Sequence, residues 1–292
     1  MSPPASGLVI VDKPGGMTSH DVVARVRRLA GTRRVGHAGT LDPMATGVLV
    51  VGVEKATRLL GYLTLTEKEY AATIRLGQST STDDAEGEIT GTATCGGTSA
   101  EDLAEAVTGL TGEIQQVPPA VSAIKVDGQR AYKLTRAGAA PELKPRPVTV
   151  YEFTVTEVRR HEDLLDVDAT VRCSSGTYIR ALARDLGAAL GTGGHLTRLR
   201  RTRVGPYGAE MSRTLDELAE RFELLALAQA AAACFPNRNL TAGEARRLAH
   251  GGRLAAADPP GAGPTAAFAP DGTLVALVVD ESGQARPLVV FA

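Results

Sequence analysis

Val35-Gly36-His37-Ala38-Gly39-Thr40-Leu41-Asp42-Pro43-Met44-Ala45-Thr46-Gly47 sets a single carboxylate in a glycine-punctuated stretch between two apolar segments. Glycine reaches backbone conformations closed to other residues, and a proline disfavours the helical region for the residue before it. Gly36, Gly39 and Gly47 are therefore expected to let the chain turn tightly, while Pro43 drives Asp42 toward an extended conformation that aims its side chain. An isolated Asp-Pro does no more than start a turn. Here the apolar run Val48 to Val53 follows at once, so the stretch reads as a reactive loop leading into a buried strand.

Working outward, Gly7 to Val11 reads as a strand, Lys13-Pro14-Gly15-Gly16 as a turn, and Ser19 as the cap of a helix through Leu29. Tyr70, Thr73 and Ile74 place another strand before a turn at Gly77. Ser99 with Asp102 starts a helix to about Val107, after which residues 117–147 form a long basic connection with one short helix. Val148 to Val158 and Leu164 to Cys173 look like paired strands joined through His161-Glu162-Asp163. Thr177 to Leu190 follows as a helix whose stripe of Ile179, Leu182, Leu186 and Leu190 faces a core. Arg180 lies off that stripe in the first turn, where the helix macrodipole disfavours a cation, so an acidic partner is expected and Asp42 is the candidate. Leu215 to Arg221 and Leu224 to Ala233 are helical, and Cys234-Phe235-Pro236-Asn237 breaks the pattern. Thr241 and Glu244 form a capping-box pair for a helix through His250 that Gly251 can end. Short strands follow around Phe268, Leu274 to Val279 and Leu288 to Phe291.

The 292 residues, 43% of them apolar, suffice for one large domain and a small one. No apolar run approaches a membrane span, and the Met-Ser-Pro-Pro start lacks the features of a signal peptide, so a cytoplasmic protein is expected. Cys95, Cys173 and Cys234 are far apart and odd in number, which suggests neither a disulfide framework nor a zinc site. The five histidines make no paired spacing, and no metal is expected. A net charge of −1 argues against a protein that coats nucleic acid indiscriminately. Yet basic residues gather in Arg25, Arg27, Arg28, Arg33 and Arg34, in Lys125, Arg130, Lys133, Arg136, Lys144 and Arg146, and in Arg198, Arg200, Arg201 and Arg203, with acidic residues largely elsewhere. Three such runs flanking the reactive loop favour an anionic polymer as substrate.

The loop Gly36-His37-x-Gly39-x-Leu41-Asp42-Pro43-x-Ala45-Thr46-Gly47 resembles, at every fixed position, the catalytic motif of the TruB family of tRNA pseudouridine synthases. Gly7 to Pro14 with Thr18-Ser19 resembles that family's opening motif, and Lys68-Glu69-Tyr70 with Arg75-Leu76-Gly77 its second. Thr80 to Gly87 is similar to the acidic turn after it, with Ser81 and Glu86 standing where the family often has Asp. Ser122-Ala123-Ile124-Lys125 with Gly128 and Ala131-Tyr132 resembles an RNA-gripping insertion, Ser175 to Arg180 the arginine motif, and Leu199-Arg200-Arg201 the strand closing the pocket. The resemblance spans most of residues 1–210.

It implies an α+β pseudouridine synthase fold, a mixed and mostly antiparallel sheet flanked by helices, over a catalytic domain at 1–234 with the insertion at 117–147. A small, mainly β, PUA-like RNA-binding domain is expected at 235–292. The implied activity is isomerisation of uridine to pseudouridine at position 55 in the T loop of tRNA, by a monomer without cofactor or obligatory protein partner. That reaction breaks the N1–C1′ bond, turns the uracil, joins C5 to C1′ and removes the C5 proton, with no redox step. A single carboxylate can serve it as it serves glycoside chemistry, by trapping a cationic carbon. Asp42 is then the nucleophile, attack at C1′, attack at C6 and abstraction at C2′ all remaining open, and Arg180 the guanidinium fixing its oxygens. The target base must be flipped out at a cost of a few kcal/mol. Tyr70 is its implied platform, Tyr178, Ile179 and Leu199 line the pocket, and His37 wedges into the vacated stack. Asp84 is the second carboxylate of interest, and Lys13, Lys125, Gly36 and Thr40 complete the implied substrate contacts. Two rivals are a non-catalytic tRNA-binding or RNA-folding protein and a synthase that needs guide RNA and protein partners.

Overall fold

The structure is a computed structural model that describes residues 5–121 and 143–291, together with the backbone of 125–126 and 129–130. The first part of the chain runs β1 Gly7–Lys13, α1 Ser19–Ala30, β2 Val35–Ala38, β3 Thr46–Val53, α2 Leu60–Thr64 and β4 Lys68–Leu76. The middle adds β5 Gln78–Thr80, β6 Ile89–Thr92, α3 Ala100–Gly109, β7 Gly112–Gln116, β8 Lys125–Val126, β9 Gln129–Arg130, β10 Arg146–His161 and β11 Leu164–Cys173. Then come α4 Ile179–Ala189, β12 Gly194–Val204, β13 Tyr207–Gly208, α5 Leu215–Glu220, β14 Leu225–Ala226 and α6 Leu227–Cys234. The chain closes with β15 Asn237–Asn239, α7 Ala242–Ala249, β16 Leu254–Ala255, β17 Thr265–Phe268, β18 Leu274–Glu281 and β19 Gln284–Val290.

Ten strands form one sheet along the path β14-β1-β3-β12-β4-β11-β10-β7, with β2 on β3 and β13 on β12. Among its described strand pairings only β3–β12 is parallel, through Thr46 opposite Arg200 and Gly47 opposite Arg201. This sheet, α+β and mostly antiparallel as expected, carries helices over its apolar faces. Tyr70, Ile74, Val167 and Val171 pack under Leu182 and Leu186 of α4, because alternate strand residues share a face. Val9, Val11, Leu49 and Val51 pack on Val22, Val23 and Val26 of α1. With both faces covered, β3 is apolar almost throughout. A second sheet of order β15-β17-β18-β19-β16 begins at Asn237. Its Phe268, Leu277 and Phe291 join Leu8, Ile10 and Leu59 in one apolar cluster.

Several boundaries differ from expectation for local reasons. Thr18, not Ser19, caps α1, exchanging capping-box bonds with Asp21. That frees the Ser19 hydroxyl for the reactive loop. α4 starts at Ile179 rather than Thr177, because the Tyr178 amide donates to Gln116 Oε1 at 2.8 Å and 174–177 form a turn. Leu225 and Ala226 pair with Leu8 and Gly7, so the helix expected from Leu224 begins at Leu227. The expected caps Ser99 and Thr241 are both present, each with its capping box. The short helix expected within 117–147 lies outside the described residues.

Candidate active site

Asp42 sits in a loop whose backbone is tied at every step. The Gly39 and Thr40 carbonyls accept from Arg201 Nη2 and Nη1 at 3.1 and 3.4 Å. The Ser19 hydroxyl accepts from the Leu41 amide at 2.9 Å and reaches the Leu41 carbonyl at 3.2 Å. The Asp42 carbonyl accepts from the Ala45 amide at 3.1 Å, and the Pro43 carbonyl from the Gly16 amide at 2.8 Å and Lys13 Nζ at 3.1 Å. Paired buried backbone groups are what hold an irregular segment in one conformation. Gly39 and Gly47 do adopt positive φ, +83° and +98°, and a side chain on Gly47 would collide with the Arg201 carbonyl across the parallel junction. Gly36 departs from expectation: it lies in β2 with ordinary φ, and its lack of a side chain admits Leu60 instead.

Arg180 meets Asp42 side-on, Nε at 2.9 Å from Oδ2 and Nη2 at 3.2 Å from Oδ1. The Nη2 contact is a hydrogen bond, whereas the Nε–H points off the oxygen and makes an ion pair only. Nη1 lies 3.5 Å from Asp84 Oδ2 and donates to the Thr82 carbonyl at 2.9 Å, and Nη2 donates to the Val121 carbonyl at 2.9 Å. Asp84 is held by the Thr82 hydroxyl at 2.5 Å and the Glu86 amide at 3.1 Å. Arg180 is thus the acid-partnered cation that its place in the first turn of α4 demanded, and not a surface residue reaching for water. Its side chain is 4% exposed while that of Asp42 is 34% exposed, so the carboxylate is gripped from behind and open in front.

The open side faces a cavity of about 270 Å³. Of the residues expected at the site, Asp42, Arg180, Tyr70, Tyr178, Ile179, Leu199 and Thr40 line it. Tyr70 and Leu199 reach it from neighbouring strands and are buried, and burial raises the Tyr70 phenol above its ordinary pKa. Asp84 stands behind Arg180 rather than in the wall. Lys13 is also displaced from the expected substrate contact. Its fully buried ammonium donates to the carbonyls of Pro14, Met17 and Pro43, and burial lowers its pKa to about 8. His37 is on β2 outside the lining, its ring edge-on to His20 at 5.5 Å; burial, then His20, lower its pKa. The side chain of Lys125 lies outside the described residues, as does most of the expected RNA-gripping insertion.

Lys68 and Arg201 line the cavity as well, although neither was expected among the site residues. Lys68 donates to the Thr64 and Thr66 carbonyls at 2.7 and 2.6 Å, and burial brings its pKa to about 8. Arg201 corrects the reading of the third basic run. It is 1% exposed, Arg200 is bidentate with Asp12 at 3.0 and 2.8 Å, and Arg203 is paired with Glu67 and Glu69. The acidic residues of that region are interleaved with the basic ones across the sheet, a pairing that strand register creates and sequence order hides.

A buried guanidinium steering a half-open carboxylate in a cavity shared with an aromatic ring suits attack on an electrophilic carbon of a flat ligand. The family models agree with that chemistry. Residues 27–179 match the TruB family pseudouridylate synthase N-terminal domain, 180–232 the tRNA pseudouridylate synthase B C-terminal domain, and 235–292 the tRNA pseudouridine synthase II C-terminal model. The chain is 65% identical over 293 residues to tRNA pseudouridine synthase B of Thermobifida fusca, covering 99% of each. The chain belongs to the TruB family. A TruB enzyme from an Arthrobacter strain is 61% identical over 298 residues, covering 98% of this chain and 97% of that one. A crystal structure of a Cbf5-Nop10-Gar1 complex shares the fold at TM-score 0.74 and 27% identity, over 98% of this chain and 85% of its counterpart. As a TruB-family protein the chain is a pseudouridine synthase, hence an isomerase.

Proposed function

We propose that this TruB-family isomerase converts one uridine to pseudouridine in the T loop of tRNA, at position 55, with Asp42 as the nucleophile. The observation that carries the reading is the side-on contact of Arg180 with Asp42, at 2.9 and 3.2 Å, on the wall of a cavity that also holds Tyr70. A cavity of about 270 Å³ is below the span of most small-molecule sites and suits a single extruded nucleoside. The flipped uracil stacks on Tyr70 between Leu199 and Ile179, and one Asp42 oxygen meets the ring that reacts. The Asp42 carboxylate bonds to the reacting ring as the N1–C1′ bond breaks and is released as C5 joins C1′; the uracil turns in between, and the proton lost from C5 is matched by one gained at N1, so the product is an isomer. As an isomerisation with no redox change the reaction needs no energy donor and no cofactor, and positioning by the tied loop serves to lower the barrier. His37, at the edge of the same loop, is the wedge that fills the vacated stack.

Residues 1–234 act as the catalytic domain and 235–292 as a PUA-like RNA-binding appendage, in a monomer working in the cytoplasm. Stand-alone action is favoured over guide-RNA dependence because identity is 65% to a relative named tRNA pseudouridine synthase B and 27% to the protein seen in a Cbf5-Nop10-Gar1 complex. The purified protein, incubated with an unmodified T-arm hairpin and no other macromolecule, should yield pseudouridine at one mapped T-loop uridine. Isomerisation that appears only after adding a guide RNA and partner proteins, or none at all with the hairpin bound, would remove the reading.

A further inference from the structure

We infer that Arg201 is a positioning residue, the device that presets both the Asp42 loop and Tyr70 before RNA arrives. The inference rests on the role proposed for Asp42. The Arg201 guanidinium spans the two ends of the loop, donating to Gly39 and Thr40 at its entrance and, through Nε at 2.8 Å, to Val48 at its exit. Its own backbone forms the parallel junction with Gly47, and directly across the antiparallel pair stands Tyr70. One rigid planar group therefore sets the distance between the carboxylate's loop and the aromatic platform. Unlike Arg180, among the described residues it has only neutral carbonyls as hydrogen-bond acceptors. An arginine with no carboxylate partner among the described residues, 1% exposed, is a costly residue to bury, and its geometry goes to the loop rather than to an ion pair. Lysine cannot reproduce the fork, since it offers a point charge on a flexible stem.

The test uses full-length Arg201→Lys beside wild type and Asp42→Asn, with an unmodified T-arm hairpin. Single-turnover rate at saturating RNA, hairpin Kd and thermal midpoint are measured on each. A displacement of about 1 Å in the loop should lower the single-turnover rate by roughly 100-fold while the Kd stays within about threefold of wild type. A folded Arg201→Lys that turns over within about fivefold of wild type overturns the inference, as does a rate loss explained wholly by weaker RNA binding. Should the variant not fold, hydrogen exchange in wild type alone decides. The Leu41 and Ala45 amides should exchange as slowly as those of β3 without RNA, and exchange at solvent rates there overturns the preset loop. The two readings fail separately: a wild type inert on the hairpin sinks the proposed function, whereas an inert Asp42→Asn with a normal Arg201→Lys sinks only this inference.

Discussion

The central sheet carries arginine on both faces, and the two faces use it differently. On the outer face Arg172 bridges Glu67 and Glu152, Arg203 bridges Glu67 and Glu69, and Arg75 pairs with Asp166, all at partly exposed side chains. On the inner face Arg201, with Arg180 of the overlying helix α4, is nearly inaccessible and lies against the cavity. Exposed pairs sit in high dielectric and contribute about 0–1 kcal/mol each, whereas removing one partner of a buried pair costs about 3–5 kcal/mol. Depth, rather than the number of charges, decides which arginines control the chemistry. If that contrast is right, substitutions graded by depth should grade in effect.

The largest effect is expected at Asp42. Asp42→Asn keeps the shape and leaves Arg180 its contacts to Asp84 and two carbonyls, so folding and hairpin Kd should change little. Loss of a nucleophile should lower the single-turnover rate by at least about 10⁴-fold. A residual rate within tenfold of wild type would break the comparison at its centre. Next comes Arg180→Lys, which keeps the charge and loses the side-on fork; removing one preorganised donor typically costs about 10²–10³ in rate. Circular dichroism should show the fold intact, and an unaltered rate would strip Arg180 of its role.

The inner face was half legible in the amino-acid order. The reactive loop, the partner demanded by a cation in the first turn of α4 and the apolar stripe of that helix follow from local rules that act over a few residues. The side-on pair itself joins positions 138 apart in sequence, yet the demand for an acid narrowed the choice. Arg201 was illegible for a physical reason. Within the run Arg198 to Arg203 neighbouring side chains Arg200 and Arg201 point to opposite faces, so Arg200 meets Asp12 outside while Arg201 turns inward to carbonyls 161 and 162 residues away, and a register shift after Arg201 returns Arg203 to the outer face. A run of like charge records none of this, because register is set by the partner strands. Lys13 is a like case: expected only as a substrate contact, it is buried, and its burial against Pro43 depends on a loop thirty residues on.

A smaller effect separates the two faces by pH. Burial holds Lys13 and Lys68 down to about 8 from an ordinary 10.5. Below pH 8 both the folded and the unfolded chain carry these protons, and the folded state bears the full burial cost. Between about 8 and 10.5 only the unfolded chain keeps them, so the lysines' contribution to stability rises with pH across that window. Activity should run the other way. A neutral Lys13 has two N–H groups for three carbonyls, and the loop it holds at Pro43 loosens. The single-turnover rate should therefore fall severalfold above pH 8 as the thermal midpoint holds or rises. Lys13→Arg, which stays protonated, should move that alkaline limb upward; a limb that does not move assigns it elsewhere.

The smallest effect is expected on the outer face. Arg203 belongs to the run that sequence order marks for RNA, but its guanidinium is occupied by Glu67, Glu69 and the Gly205 carbonyl. Arg203→Met should cost no more than about 1 kcal/mol in stability. It should also leave hairpin Kd and its salt dependence unchanged, because a group already neutralised by carboxylates releases no counterions from a phosphate. Loss of one unit in the slope of log Kd against log salt is the signature of a phosphate contact. Seeing that slope change in Arg203→Met would mean that the ladder opens for RNA, and that pairing on this face is a resting state rather than the face's function.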